Sequence, residues 1–471
     1  MVFTTSIFLF LFLPLLIAVH ALVPSRARNA LLLLASLIFY AWGEGAYVCV
    51  MLVSIMVNQR FGLALRKRGP AFDKAVLASS LVFNLGLLGV FKYAGFVSQN
   101  LRFLGVSLQA PQVHMPIGIS FFTFNAISYL LDIHRGQAEA QDDSIDFALY
   151  IALFPQLVAG PIVRYHELAG QLGARRIELA GFAGGVRRFI IGFAKKMLIA
   201  NTLAHAANTV FDVPFSILTT GEAWLGALAY TGQIYFDFSG YSDMAIGLAA
   251  LFGFRFPENF RTPYAARSVT DFWRRWHISL SSWFRDYLYI PLGGNRKGRA
   301  RELFNLVTVF FLCGLWHGAS WTFVLWGLYH GAFLVLERVS PEVKMPRVLR
   351  PLQHAWTMLV VIGGWVLFRA ADLPRALGIL RTMAGSGAGS AGLPGFFERE
   401  QVIALTVAVL ASGPLVPWLV GLRDTWAGRG LGVRLQRPFA ALEVAGLAAL
   451  LLAGLAQVAA GTFNPFIYYR F

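Results

Sequence analysis

Cysteine and acidic side chains are scarce in this 471-residue sequence. Cys49 and Cys313 are its two cysteines, too few for a disulfide framework and without the short paired spacing of a zinc site. Charged residues make up 14% of the chain, against roughly a quarter in soluble domains, which excludes an ordinary water-facing surface. Acidic residues number 24 against 40 basic ones, for a net charge of +16. In a soluble protein that balance would raise nucleic acid as a partner. Here the Lys and Arg stand between apolar runs, so they read as cytoplasmic loops obeying the positive-inside rule. Short segments of alternating hydrophobicity, the sign of an outer-membrane barrel, are missing. So are the paired halves that would favour a transporter or flippase.

What the chain does have is apolar length. Hydrophobic residues reach 57%, with a mean hydropathy of +0.61. The expected fold class is an all-α polytopic membrane protein, a single domain over 1–471 with about 11–13 membrane helices, re-entrant and interfacial segments included. The first run, Thr4–Leu22, lacks a basic flank before it and reads as an uncleaved span. Asn29–Trp42, a Gly43–Gly45 turn, Ala46–Leu65, Ala75–Phe96 and Pro116–Leu131 follow. Arg26, Arg28, the Arg66-Lys67-Arg68 triplet and His134-Arg135 then fall in the cytoplasm, with the N-terminus outside. Phe147–Gly160 is short and ends at Pro161, which suggests a re-entrant or broken helix against protein or a cavity. Arg175, Arg176, Arg187, Arg188, Lys195 and Lys196 surround an amphipathic region placed at the cytoplasmic face. Ala223–Phe252 carries Gln233, Asp237, Ser239, Ser242 and Asp243 and is expected to face the protein interior. Gln353–Phe368, Val402–Val420 and Leu442–Ala459 read as ordinary spans, and Ala384–Gly395 as a flexible loop.

The chemistry concentrates between Phe272 and Gly331. His317 lies in an apolar run, where an ionisable side chain is a functional-site hypothesis by default. Gly314 and Gly318 beside it suggest room for a substrate, Trp316 and Trp321 could wall a pocket, and a neutral imidazole can serve as a general base toward a hydroxyl. His277 sits in a stretch whose Trp273, Trp276, Trp283 and Phe284 recur at helical spacing among Arg274, Arg275 and Arg285, as in an interfacial amphipathic helix. Asp271 and Asp286 are expected to pair with those arginines. His330 reads as structural, Cys313 as a small buried residue and Pro291–Asn295 as a turn. Asp237 and Asp243 fit either a proton relay or hydrogen-bonded packing. No metal-binding spacing joins the histidines.

Six blocks in this order resemble the membrane-bound O-acyltransferase (MBOAT) family, and within it the branch that acetylates bacterial polysaccharides such as alginate. They are MPIGISFFTFNAISYLLDIHRG (Met115–Gly136), FPQLVAGPIVRYHEL (Phe154–Leu168), QIYFDFSGYSDMAIGLAALFGFRFPENF (Gln233–Phe260), FWRRWHISLSSWFRDYLYIPLGGNR (Phe272–Arg296), LWHGASW (Leu315–Trp321) and the terminal PFIYYRF. The resemblance implies a ring of tilted helices around a central tunnel, with the core motifs over about 115–331. It implies transfer of an acetyl group from cytoplasmic acetyl-CoA across the bacterial inner membrane to an exported polysaccharide, with no bound cofactor. The family's near-invariant histidine falls on His317 and a second family position on His277. A basic surface including Arg274, Arg275, Arg285, Arg296, Lys297 and Arg299 would attract the anionic donor. An extracytoplasmic acetyltransferase of the SGNH type is the implied partner. D-alanyl transfer to teichoic acid from a carrier-protein thioester is the nearest rival within the family.

Overall fold

The computed structural model describes residues 1–65, 70–106, 113–340, 346–387, 389, 396–415, 418, 419, 421, 422, 425 and 432–461. Every regular element among them is a helix. The basic triplet at 66–68, most of the 384–395 loop, the end of the Val402–Val420 span and the terminal PFIYYRF block lie outside the described residues. Four helical stretches are long and apolar enough to cross a membrane among the described residues: Ser25–Ala64, Ala71–Phe103, Arg350–Arg369 and Pro438–Ala459. Their outward faces stay apolar, as at Val82 (73% exposed) and Leu442 (68%); contiguous exposed hydrocarbon of this kind belongs against lipid. The chain is a multi-pass membrane protein.

It divides into two compact units, Met1–Phe189 with Met244–Pro257, and Ile190–Asp243 with Glu258–Phe471. In the first unit, Arg28–Glu44 ends at Gly45, whose φ of 55° and ψ of −125° no side-chain-bearing residue adopts cheaply. The expected turn therefore divides the 25–64 stretch into two helices, the second being Val48–Ala64. The expected fifth span is the helix Ile119–His134. The expected broken segment is found as Ser144–Ala152 followed by Phe154–Leu157, separated by extended backbone at Leu153. Ser36 Oγ accepts the Phe154 N–H at 3.1 Å, so the break leaves no orphan donor there. Phe3, Phe8, Phe39 and Phe154 form the aromatic centre of this unit.

The second unit contains most of the motif-bearing stretch. Arg299–His317 and Trp321–Val339 are packed with backbones almost touching: a Cβ at Gly314 would lie 2.3 Å from the Phe323 carbonyl oxygen, and one at Gly327 2.2 Å from that of Phe310. The small-residue contact is the membrane way of bringing helices together when lipid offers no hydrophobic drive. The polar residues of Thr220–Leu251 do point inward. Asp237 pairs with Lys196 at 2.8 Å and Asp243 with Lys195 at 2.7 Å. Lys195 and Lys196 are thus drawn into ion pairs instead of lying on a basic surface, and the Asp237–Lys196 pair is buried. A buried charge needs such a partner because its desolvation costs several kcal/mol, about what the pair's attraction offsets.

Candidate active site

The stretch around His277 is two short helices, Val269–Arg275 and Ile278–Phe284, with the histidine at the break. His277 has φ 44° and ψ 55°, the left-handed region, which is uncommon for a bulky residue and costs about 1–3 kcal/mol. This corrects the expectation of His277 inside one amphipathic helix. The reason is Asn259. Its carbonyl accepts the Ile278 N–H at 2.9 Å; its side-chain Oδ1 lies 3.0 Å from His277 Nδ1 and 3.0 Å from Ser279 Oγ. Its Nδ2 donates to Ser242 Oγ at 3.0 Å, and the Ser279 N–H, which can only donate, meets Oδ1 at 3.4 Å and so sets the amide orientation. An amide oxygen only accepts, so Nδ1 of His277 carries the proton and Nε2 presents its lone pair. Nε2 is buried with no protein partner among the described residues.

The first of these helices is anchored from the far end of another. Glu337 accepts the N–H groups of Val269 (2.6 Å) and Thr270 (2.9 Å) and the Thr270 hydroxyl (2.7 Å). Ser268 Oγ caps the same end by accepting from Asp271 N at 3.0 Å. A carboxylate at a helix N-terminus is favourable both to the dipole and to the unpaired donors. Nothing in the spacing of Glu337 announces this role, because the two segments meet only in three dimensions.

His317 is the last residue of Arg299–His317 and is 4% exposed, while His277 is fully buried. Their ring centroids stand 6.5 Å apart. Trp316 lies 5.0 Å from the His317 ring and 6.1 Å from that of His277. Trp326, edge-on at 5.0 Å, and Phe368 at 5.3 Å complete the aromatic surround of His317. Phe238 meets His277 edge-on at 4.7 Å. The two histidines, predicted from separate motifs, are therefore brought together, with Trp316 beside both. Trp321 is 56% exposed; the described wall of this site is Trp326, five residues further on.

Gly314 and Gly318 serve packing. The space at Gly314 is filled by the Phe323 backbone, and a Cβ at Gly318 would lie 2.2 Å from the Phe323 ring. Trp273, Trp276, Trp283 and Phe284 are all buried, so they are core and not an interfacial rim. His330 is wholly buried between Trp273 (5.2 Å) and Trp326 (5.3 Å), with neither ring nitrogen hydrogen-bonded among the described residues. Cys313 is buried.

The basic candidates are found at the exposed end of this region. Arg274, Arg285, Arg296, Lys297 and Arg299 are exposed and Arg275 is half-buried. Asp271 pairs with Arg275 at 2.8 Å and Asp286 with Arg285 at 2.7 Å. Gly293 and Gly294, both at positive φ, make the expected turn, tied down by Asn305 Nδ2 donating to the Gly294 carbonyl at 3.0 Å. No group of three or more potential metal ligands occurs among the described residues.

Residues 35–362 match the membrane-bound O-acyltransferase family. A probable alginate O-acetylase of Azotobacter vinelandii is 40% identical over 505 aligned positions, covering 100% of both chains. A peptidoglycan O-acetyltransferase of Helicobacter pylori is 37% identical over 427, covering 82% of this chain and 80% of its own. A teichoic acid D-alanyltransferase of Bacillus subtilis is more distant, 31% identical over 276, covering 54% of this chain and 68% of its own. With an end-to-end match to O-acetylases and a family match over most of its length, this chain belongs to the membrane-bound O-acyltransferase family and is an O-acyltransferase.

Proposed function

We propose that the protein takes an acetyl group from cytoplasmic acetyl-CoA and delivers it, through the bacterial inner membrane, for O-acetylation of an exported polysaccharide. The observation that carries the reading is the pair of buried imidazoles 6.5 Å apart, each at the end of a helix. His317 acts as general base: it takes the proton of the acceptor hydroxyl as that oxygen attacks the thioester carbonyl. The carbon–sulfur bond then breaks, the acetyl group stays on the acceptor oxygen, and the imidazolium returns its proton to the departing thiolate. His277, held in place by Asn259, positions the thioester beside His317. The aromatic surround excludes water, which would otherwise hydrolyse the thioester.

Arg274, Arg275, Arg285, Arg296 and Lys297 form the entrance for the nucleotide end of the donor, by charge attraction; Trp316 lines the way to the reacting centre, and Trp321 stands at its rim. These basic residues are assigned to the cytoplasmic side, where the donor is, and the N-terminus to the periplasmic side. An extracytoplasmic SGNH-type acetyltransferase receives the group and completes its transfer to the polymer. The end-to-end similarity to O-acetylases, against a partial one to a D-alanyltransferase, favours acetyl over D-alanyl. The test is donor choice by the full-length protein in proteoliposomes. Label should leave [¹⁴C]acetyl-CoA and not a D-alanyl carrier-protein thioester; the opposite preference overturns the proposal.

A further inference from the structure

The first unit holds a polar cavity of about 250 Å³ that the acyl-transfer site does not use. It is lined by His20, Arg26, Arg28, Asn29, Arg175, Asp143 and Asp146. Three of these residues, from three elements, carry a buried nitrogen with no partner among the described residues: Nε2 of His20, Nε of Arg28 and Nη2 of Arg175. His20 is 3% exposed. The rest of Arg175 is firmly fixed. Its Nε donates to the Phe252 carbonyl at 3.0 Å, its Nη1 to Asn29 Oδ1 at 2.5 Å, and its guanidinium lies 4.2 Å over the Phe254 ring. Burial lowers its pKa to about 10, so it stays charged at neutral pH.

Both carboxylates of the lining already accept hydrogen bonds. Asp143 Oδ1 accepts the N–H groups of Ile145 (2.7 Å) and Asp146 (3.2 Å), and Asp146 Oδ1 accepts from Asn29 Nδ2 at 2.6 Å. Guanidinium groups beside an imidazole, that of Arg175 held in place, are the donor set that recognises a phosphate. A second cavity, about 420 Å³, adjoins it and shares His20, Arg28, Ile177 and Phe252. Its other lining is apolar: Ile17, Ala21, Phe182 and Leu251. A seat for an anion that opens into an apolar groove, at the end of an apolar helix followed by two arginines, matches a phosphate joined to a hydrocarbon chain. A free nucleotide would leave the groove unused.

We infer that this is a binding site for an anionic phospholipid, its phosphate held by Arg28, Arg175 and His20 and one acyl chain lying along Ile17, Ala21 and Leu251. The inference is independent of the acyl-transfer reading. The full-length protein, delipidated in detergent, is titrated with phosphatidylglycerol, phosphatidylcholine, inorganic phosphate and coenzyme A, and bound lipid is counted by native mass spectrometry. Phosphatidylglycerol is expected to bind at least tenfold more tightly than phosphatidylcholine. Arg28→Gln, which leaves every Arg175 bond in place, should weaken it at least tenfold, and Ala21→Phe should weaken the lipid without changing retention of inorganic phosphate. Equal binding of the two lipids, or binding untouched by Arg28→Gln, overturns the site. Displacement of phosphatidylglycerol by coenzyme A or phosphate at equal concentration would assign the seat to a soluble phosphate and overturn the lipid.

Discussion

Replacing Asn259 with leucine tests whether His277 is positioned or merely packed. The substitution keeps the volume and the backbone bond to Ile278, but removes three side-chain bonds of 3.0 Å, those to His277 Nδ1, Ser279 Oγ and Ser242 Oγ, and a long one of 3.4 Å from the Ser279 N–H. At about 0.5–1.5 kcal/mol for each net bond, the loss of stability is about 1.5–4.5 kcal/mol. The catalytic loss is smaller and separable. Without the amide oxygen the imidazole no longer prefers the Nδ1–H tautomer by the worth of one bond, so the competent population falls and kcat drops about 2- to 12-fold. KM for the acyl donor should hold, since none of these Asn259 side-chain bonds reaches the basic residues of the entrance. Ser242→Ala, which loosens the amide without removing it, should give a fraction of both effects. Initial rates of acetyl transfer at saturating donor, with melting of the purified protein in detergent, read the two separately. A lowered melting temperature with unchanged kcat would show that the Asn259–His277 bond serves the fold alone and refute the reasoning.

Other outcomes follow from the same geometry. Lys196→Met removes the cation 2.8 Å from the buried Asp237 and should destabilise by about 3–5 kcal/mol, whereas Lys196→Met with Asp237→Leu should recover most of it; denaturant melts of the single and double variants check this. Gly327→Ala puts a methyl group 2.2 Å from the Phe310 carbonyl oxygen, and the forced separation of two helices should cost about 1–3 kcal/mol and lower activity by displacing His317. Glu337→Gln keeps the shape but removes the charge from the start of Val269–Arg275. A loss of about 1 kcal/mol is expected, visible as a lower melting temperature that high salt diminishes in the wild type.

How far the sequence carried this account varies with range. Apolar runs placed helices such as Arg28–Glu44, Val48–Ala64 and Arg350–Arg369 within a few residues, because a helix crossing lipid must satisfy its backbone internally and cannot hide its composition; Ala75–Phe96 and Leu442–Ala459 proved longer, as Ala71–Phe103 and Gly432–Ala459. The turn ending at Gly45 was legible locally, and the short run Phe147–Gly160 suggested a re-entrant or broken helix without locating the break at Leu153. The two histidines singled out in the sequence, one by its cost in an apolar run and both by family motifs, lie together in the fold. The Trp273–Phe284 aromatics misled: helical spacing is the same for a rim and for a core, and only packing decides. The left-handed turn at His277 was hidden, since it is imposed by an asparagine eighteen positions away. Gly314 and Gly318 were read as space for substrate, yet the partner helix fills that space. Asn259, Glu337 and Trp326 were missed because each acts across a tertiary contact, where no periodicity leaves a trace.

The central claim is that His317 moves the proton during transfer. Full-length wild type and His317→Ala, reconstituted in vesicles of known orientation with the extracytoplasmic partner supplied, are given [¹⁴C]acetyl-CoA on the cytoplasmic side. The account predicts label on an outward-facing acceptor with wild type and a loss of about 10²–10⁴-fold with His317→Ala at unchanged melting temperature. Wild-type rates from a folded His317→Ala protein would contradict it.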